Sequence, residues 1–368
     1  MKRRTFVISS SAAAVAASCT PAPPPAAPAK AEGKKPRFVL GCQSSPTDDR
    51  RVQFFARHGV RNICGYPLES KERGYPTVEE LSKMKDVCAK WGVSVDLVPP
   101  SFLSSSHIDS TERGAIMLGK SPERDRDIEK IQNLIKNCAQ AGIPAVKYNM
   151  SLLGVLRTER TPGRGGTTLS TWRLKEAKEQ PPLTRAGKVT ADIYWERIDY
   201  FLSKVVPVAN EYKIRIACHP HDPGVPPIKG YQGVDTVLGT FEGIKKFVSL
   251  HESPYHGLNF CQGTVSEMLQ DPGKEIFDVI RYFGSRKKIF NVHFRNIRGK
   301  RDDFQEVYPD EGDIDFVEAL KVYREVDYPY MLMPDHVPHH EDDPDGLQAF
   351  AFCYGYIRAL IQAADRLA

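Results

Sequence analysis

From residue 37 onward the sequence predicts one (β/α)8 barrel, a single domain with capping loops at its C-terminal face. Three observations carry that expectation. Short apolar runs rich in β-branched residues recur eight times, each followed by a longer segment with helical spacing. Strands that alternate with helices pair in parallel, and eight such units in about 330 residues close a barrel. The first strand runs into Gly41-Cys42-Gln43-Ser44, which is not the glycine-rich phosphate turn that an open doubly wound sheet would want.

In chain order the expected strands are Phe38–Cys42, Asn62–Tyr66, Ser94–Pro99, Ala145–Met150, Ile214–His219, Leu258–Cys261, Ile289–Arg295 and Tyr330–Asp335. The spacing predicts helices over Thr77–Trp91, Asp125–Ala141, Ala191–Glu211, Thr240–Leu250, Glu275–Tyr282, Asp315–Val326 and Gly346–Leu367. Thr77 before Val78-Glu79-Glu80 has the form of a capping box. Gly59, Gly92 and Gly142 fall where helices should stop. Residues 100–123 and 151–190 are long Ser/Arg/Gly-rich insertions after strands three and four. They leave the C-terminal mouth of the barrel, where long loops usually cap a site.

The 368 residues carry 51 basic and 46 acidic side chains, and the excess is local. Lys2, Arg3, Arg4, Lys30, Lys34 and Lys35 face only Glu32 in residues 1–36, which leaves 45 of each sign beyond them. A body with no surplus cation has no electrostatic footprint for a nucleic-acid backbone, so no nucleic-acid partner is expected. The eight cysteines are scattered without a C-x-x-C pair, which reads as mostly buried free thiols. Residues 1–19 (MKRRTFVISSSAAAVAASC) have a basic start and an apolar run too short to span a bilayer. Arg3-Arg4 resembles a twin-arginine export signal, and Ala17-Ser18-Cys19 resembles a lipoprotein cleavage site with Cys19 as lipid anchor. The expectation is a periplasmic or membrane-anchored protein, tethered through the Pro/Ala-rich linker 20–36 ahead of a catalytic barrel at 37–368.

Chemistry concentrates at strand ends. His219 ends strand five, Cys261 ends strand six, His293 lies near the end of strand seven and Asp335 ends strand eight. Consecutive strand ends of a barrel converge on one rim, so two imidazoles, a thiolate and a carboxylate are directed at a common volume. Each alone has a plain explanation as a core or capping residue; four in consecutive positions point to a divalent metal site. Mn²⁺ or Fe²⁺ suits the carboxylate and open oxygen positions, and Zn²⁺ would also accept the imidazole–thiolate set.

At these residues the chain resembles the mannonate dehydratase family, within the xylose-isomerase-like barrels. The resemblance is carried by Gly257-Leu258-Asn259-Phe260-Cys261-Gln262-Gly263, by Ser266-Glu267-Met268, by His293-Phe294-Arg295-Asn296 and by Pro334-Asp335-His336. Phe304–Tyr308, Asp310–Asp315, Lys147–Met150, Arg157-Thr158 and His219-Pro220 with Asp222-Pro223 extend it. It implies metal-dependent dehydration of D-mannonate to 2-dehydro-3-deoxy-D-gluconate. Arg295 would then grip the carboxylate through its planar fork, and His336 would act as general acid or base. Asn149, Arg157 and Glu306 would be further substrate contacts. The chain departs from the family pattern in two places. No Tyr follows Asp335-His336 in Val337–Gly346, and His221 stands where the family has Asp. Two other readings use the same residues: a metal-dependent sugar isomerase or epimerase, and an exported non-catalytic binder of sugar acids. An oligomer is compatible with all three.

Overall fold

The computed structural model describes residues 38–43, 45–225 and 230–367. The export signal 1–19, Cys19 and the linker 20–36 lie outside the described residues. Eight parallel strands run β1 Val39–Gln43, β2 Asn62–Cys64, β3 Ser94–Leu97, β4 Ala145–Asn149, β5 Arg215–His219, β6 His256–Cys261, β7 Ile289–His293 and β8 Met331–Met333. Their order in the sheet, β3-β2-β1-β8-β7-β6-β5-β4, leaves β3 and β4 as the two edges. These edges meet through one parallel bridge, Val98 opposite Val146. The Val98 amide donates to the Ala145 carbonyl at 3.3 Å, and the Lys147 amide donates to the Val98 carbonyl at 3.0 Å. The sheet is therefore a nearly closed (β/α)8 barrel, as expected.

Each strand is followed by a helix: α1 Asp49–Arg57, α2 Val78–Ala89, α3 Glu123–Ala141, α4 Ala191–Tyr212, α5 Phe241–Ser249, α6 Pro272–Ser285, α7 Phe316–Glu325 and α8 Leu347–Leu367. The capping box at Thr77 and Glu80 is present. Gly142 ends α3 in the left-handed region at φ 69°, where a side chain would be strained. The sequence reading did not assign α1, whose start is the Asp48 side chain accepting from the Arg51 amide.

Two apolar clusters hold the layers together. The larger joins the outer strand faces to the helices, with Phe201, Phe247, Phe260 and Phe283 among its fully buried members. The smaller joins Cys64, Leu97, Ala145, Met331 and Met333 and fills the bore of the barrel. Side chains alternate along a strand, so the residues above this plug also point inward, toward the C-terminal mouth. All seven described cysteines are buried and free. No helix among the described residues is long and apolar enough to cross a membrane.

Gly41 leaves the space that Met331 fills. A Cβ there would stand 2.8 Å from Met331 Cβ and Sδ. Gly41→Ala is expected to cost about 1–3 kcal/mol by overpacking, read as a lower urea midpoint; an unchanged midpoint would show that the plug is slack.

Candidate functional site

Above the plug, a cavity of about 290 Å³ opens at the C-terminal mouth. Gln43, Tyr66, Lys147, Asn149, His219, Asp222, His293, Asp335 and His336 line it, and Pro99, Pro100, Ser101, Leu103, Ser104 and Ser105 with Ser151, Gly154 and Val155 supply its rim. The rim comes from the two insertions expected to cap the mouth.

The four strand-end donors converge. One ligand atom each from His219, Cys261, His293 and Asp335 lies within 4.8 Å of the others, and all four residues are buried. Asp335 sits two residues past the end of β8. His219 Nδ1 is 2.6 Å from the Pro220 carbonyl, which makes Nδ1 the protonated nitrogen and leaves Nε2 bare. His293 Nε2 meets Gln43 Oε1 at 3.1 Å and the Asn259 amide at 3.2 Å. Its Nδ1 lies 3.3 Å from Asp335 Oδ2 without completing a hydrogen bond, although it is buried. Gln43 Nε2 donates to Asp335 Oδ1 at 2.6 Å.

Charge at the four donors is arranged for a cation. Burial raises the other six described thiols. It acts the same way on Cys261, but there Arg295 and His293 outweigh it and hold the thiol below its ordinary value. Burial likewise opposes ionisation of Asp335, and the charges of His293 and His336 overcome it, keeping the carboxyl well below its usual range. Burial pushes His219 down, toward the neutral ligand form. A bare imidazole nitrogen, an orphaned buried one, an easily ionised thiol and a carboxylate fit a divalent ion.

Behind the tetrad two arginines neutralise a cluster of carboxyl groups. Arg295 Nη2 reaches Asp222 Oδ2 at 3.2 Å, Glu267 Oε1 at 2.9 Å and Thr264 Oγ1 at 2.9 Å. Arg157 Nη1 donates to Asp222 Oδ1 at 2.6 Å, and both arginines pair with Glu306. A hairpin after β7 makes this possible. Its strands Asn296–Lys300 and Asp303–Val307 pair antiparallel, with Glu306 opposite Ile297, and return the carboxylate to Arg295. Burial works against charge at Asp222 and Glu306, but the guanidinium groups prevail and hold both well below the usual carboxylate range. At Glu267, burial and the charge of Asp222 win and push the carboxyl up. The shift favours a protonated Glu267, which would set two anions against two cations in the buried set.

Three residues expected at the substrate fall in this network. Arg295, expected to clamp a substrate carboxylate, is 1% exposed at its side chain; its Nη1 and Nη2 engage Asp222, Glu267, Glu306 and Thr264, while its buried Nε has no hydrogen-bond partner. Arg157 and Glu306, read as substrate contacts, belong to the same buried network and do not line the cavity. Asn149 and His336 do line it. His336 Nδ1 meets Glu306 Oε2 at 2.8 Å. Burial lowers its proton affinity, but Asp335 and Glu306 reverse that and push the pKa up to about 9. His221 turns away from the cavity; its ring packs on Tyr194 and its Nε2 meets the Met150 carbonyl at 2.8 Å. Tyr354 is buried in the core on α8. The sequence reading passed over Gln43, Tyr66, Lys147 and Asp222 as site residues. For Gln43, Tyr66 and Lys147 the usable signal was the inward-facing register at the strand ends.

Charge balance makes a prediction in metal-free protein. Glu267→Gln should change unfolding stability by less than about 1 kcal/mol, since the amide mimics the protonated acid. Arg295→Met should cost about 3–5 kcal/mol by stranding buried carboxylates. Equal losses in urea unfolding would refute the assignment of the proton to Glu267.

The geometry can be set beside known proteins. The family model for D-mannonate dehydratase (UxuA) matches residues 166–367. A mannonate dehydratase of Endomicrobium trichonymphae is 30% identical over 302 residues, covering 73% of this chain and 78% of that protein. One from Thermotoga petrophila is 28% identical over 350 residues, covering 84% and 92%. The crystal structure of mannonate dehydratase from Streptococcus suis serotype2 superposes with a TM-score of 0.76 at 22% identity, covering 90% of this chain and 95% of that one. Other solved neighbours are xylose-isomerase-like barrels and share the fold alone. The same findings correct the location read from residues 1–19. The relatives that match are mannonate dehydratases, and the exported, periplasmic or lipid-anchored assignment is withdrawn. With a family model spanning more than half its length and a curated relative at 30% identity, the chain belongs to the D-mannonate dehydratase family, and its members are hydro-lyases.

Proposed function

We propose that this protein dehydrates D-mannonate, or a closely related sugar acid, to 2-dehydro-3-deoxy-D-gluconate with a divalent metal held by His219, Cys261, His293 and Asp335. The observation that carries the reading is the convergence of those four donors at the ends of β5 to β8 in a chain of this family. Mn²⁺ or Fe²⁺ suits a site with one carboxylate and room for substrate oxygens; Zn²⁺ is the alternative that the thiolate and imidazoles would accept.

Removing the proton at C2 places a second negative charge beside a carboxylate. The bound ion supplies Lewis-acid charge against that build-up. The protein's own residues do the rest. His336 projects from the cavity wall with Nδ1 engaged by Glu306, which leaves Nε2 for the substrate. That nitrogen takes the proton from C2 and passes it to the departing C3 hydroxyl, which leaves as water, so one imidazole serves first as base and then as acid. The enol left behind gives up its C2 hydroxyl proton and takes one at C3 from solvent, which gives the 2-keto-3-deoxy acid. Asn149 offers an amide to substrate hydroxyls, while Arg157, Arg295 and Glu306 position Asp222 and His336 from behind. The isomerase or epimerase reading has fold similarity alone in its favour, which does not determine chemistry. The exported-binder reading loses its premise with the export assignment.

Full-length protein loaded anaerobically with Mn²⁺ and given D-mannonate should release a 2-keto-3-deoxy acid. Cys261→Ala should lose both tight Mn²⁺ binding and product. His336→Asn should keep the metal and lose about 10²–10⁴-fold in kcat. Well-folded, metal-loaded protein that makes no product would overturn the proposed reaction.

A further inference from the structure

A sugar acid needs a cation for its carboxylate, and the arginine expected to provide one is buried in its own ion network. Among the described residues lining the cavity, Lys147 is the ammonium with no carboxylate partner: its Nζ meets the side-chain oxygen of Gln43, and no ion pair involves it. It stands on β4, opposite Ala217 and two residues before Asn149, which faces His219. Lys147 and Asn149 therefore point to the same side, into the bore. The four-carbon stem crosses the barrel from β4 toward β1, and Gln43, which receives its head group, also contacts Asp335 and His293. The ammonium is thus held beside the tetrad on the cavity wall. Asp222, another acid on that wall, is already committed to Arg157 and Arg295.

We propose that Lys147 is the carboxylate-recognition residue of this site, binding an anionic sugar acid by a charge-assisted hydrogen bond and discriminating against neutral sugars. The assignment rests on the proposed sugar-acid reaction for its choice of ligand. A cation half-removed from water with one neutral acceptor gains when an anion completes its shell. Lys147 would then set selectivity by charge, with the hydroxyl-bearing rim of Ser101, Ser104, Ser105 and Ser151 indifferent to it.

The test compares D-mannonate with D-mannitol, the neutral polyol of the same carbon chain, by calorimetric titration of the full-length Mn²⁺-loaded protein. The parent should prefer the acid by about 10-fold or more. Lys147→Met should weaken D-mannonate binding about 10- to 100-fold, with D-mannitol and Mn²⁺ affinities unchanged within about two-fold. Lys147→Arg should recover part of the preference, which bracing of Gln43 alone would not restore. A Lys147→Met protein that still prefers the acid, or a parent with no preference, overturns the assignment. A parent that prefers D-mannonate yet makes no keto acid removes the proposed reaction and leaves the carboxylate subsite standing.

Discussion

Two guanidinium groups buried against three carboxyl groups determine the shape of this barrel's mouth. Desolvating five ionisable groups together is costly unless the signs balance and the hydrogen bonds are complete. Arg157 arrives from the loop after β4, Asp222 from the loop after β5, Glu267 from the segment after β6, and Arg295 and Glu306 from the hairpin after β7. One neutral cluster thereby ties four consecutive crossovers together just behind the strand ends. The metal donors need that tie, since each is only as well placed as the strand end that carries it. The same cluster reaches into the chemistry, because Arg295 lowers the Cys261 thiol and Glu306 holds His336.

The barrel and the tetrad were legible because their signals are local. Alternating apolar runs mark strands whatever they pack against, and His219, Cys261, His293 and Asp335 each end such a run. Helix α1 escaped because the charged stretch Asp48-Asp49-Arg50-Arg51 masks Val52, Phe54 and Phe55, the three residues it buries. The ion pairs of Arg295 were hidden for a different reason. Its acceptors Asp222 and Glu306 lie far along the chain or across a hairpin, so the sequence displayed a free guanidinium where folding makes a buried, ion-paired one. Gln43 was passed over because a neutral amide carries no chemical flag; its importance comes from touching Asp335, His293 and Lys147 at once.

Membership of the family and the departures from its pattern can be reconciled in the cavity. The tetrad and the arginine–carboxylate cluster coincide with the matching motifs, so the equipment for binding an ion is of the family type. Of the departures, the missing Tyr concerns a part that would touch substrate, while His221 turns away from the cavity. Tyr354 lies within α8 against Cys42, remote from the tetrad, whereas Tyr66 lines the cavity after β2. The aromatic hydroxyl on the cavity wall thus follows β2, two strands round the barrel from the β8 loop that lacks the family Tyr.

The junction of β3 with β4 is the most sparsely paired seam of the barrel. Every other neighbouring pair of strands shares two or more paired positions, up to five between β4 and β5, while this one has the single bridge at Val98 and Val146. The two long insertions rise from the two sides of that gap and meet above it. The Asn149 backbone amide donates to the Leu103 carbonyl at 2.8 Å, the Ile108 amide donates to the Leu152 carbonyl at 2.9 Å, and His107 pairs with Leu153. The seam that the strands leave thin is thus laced shut by the segments that roof the cavity, so the wall bearing Lys147 depends on loops where the wall of β5 to β8 depends on strands.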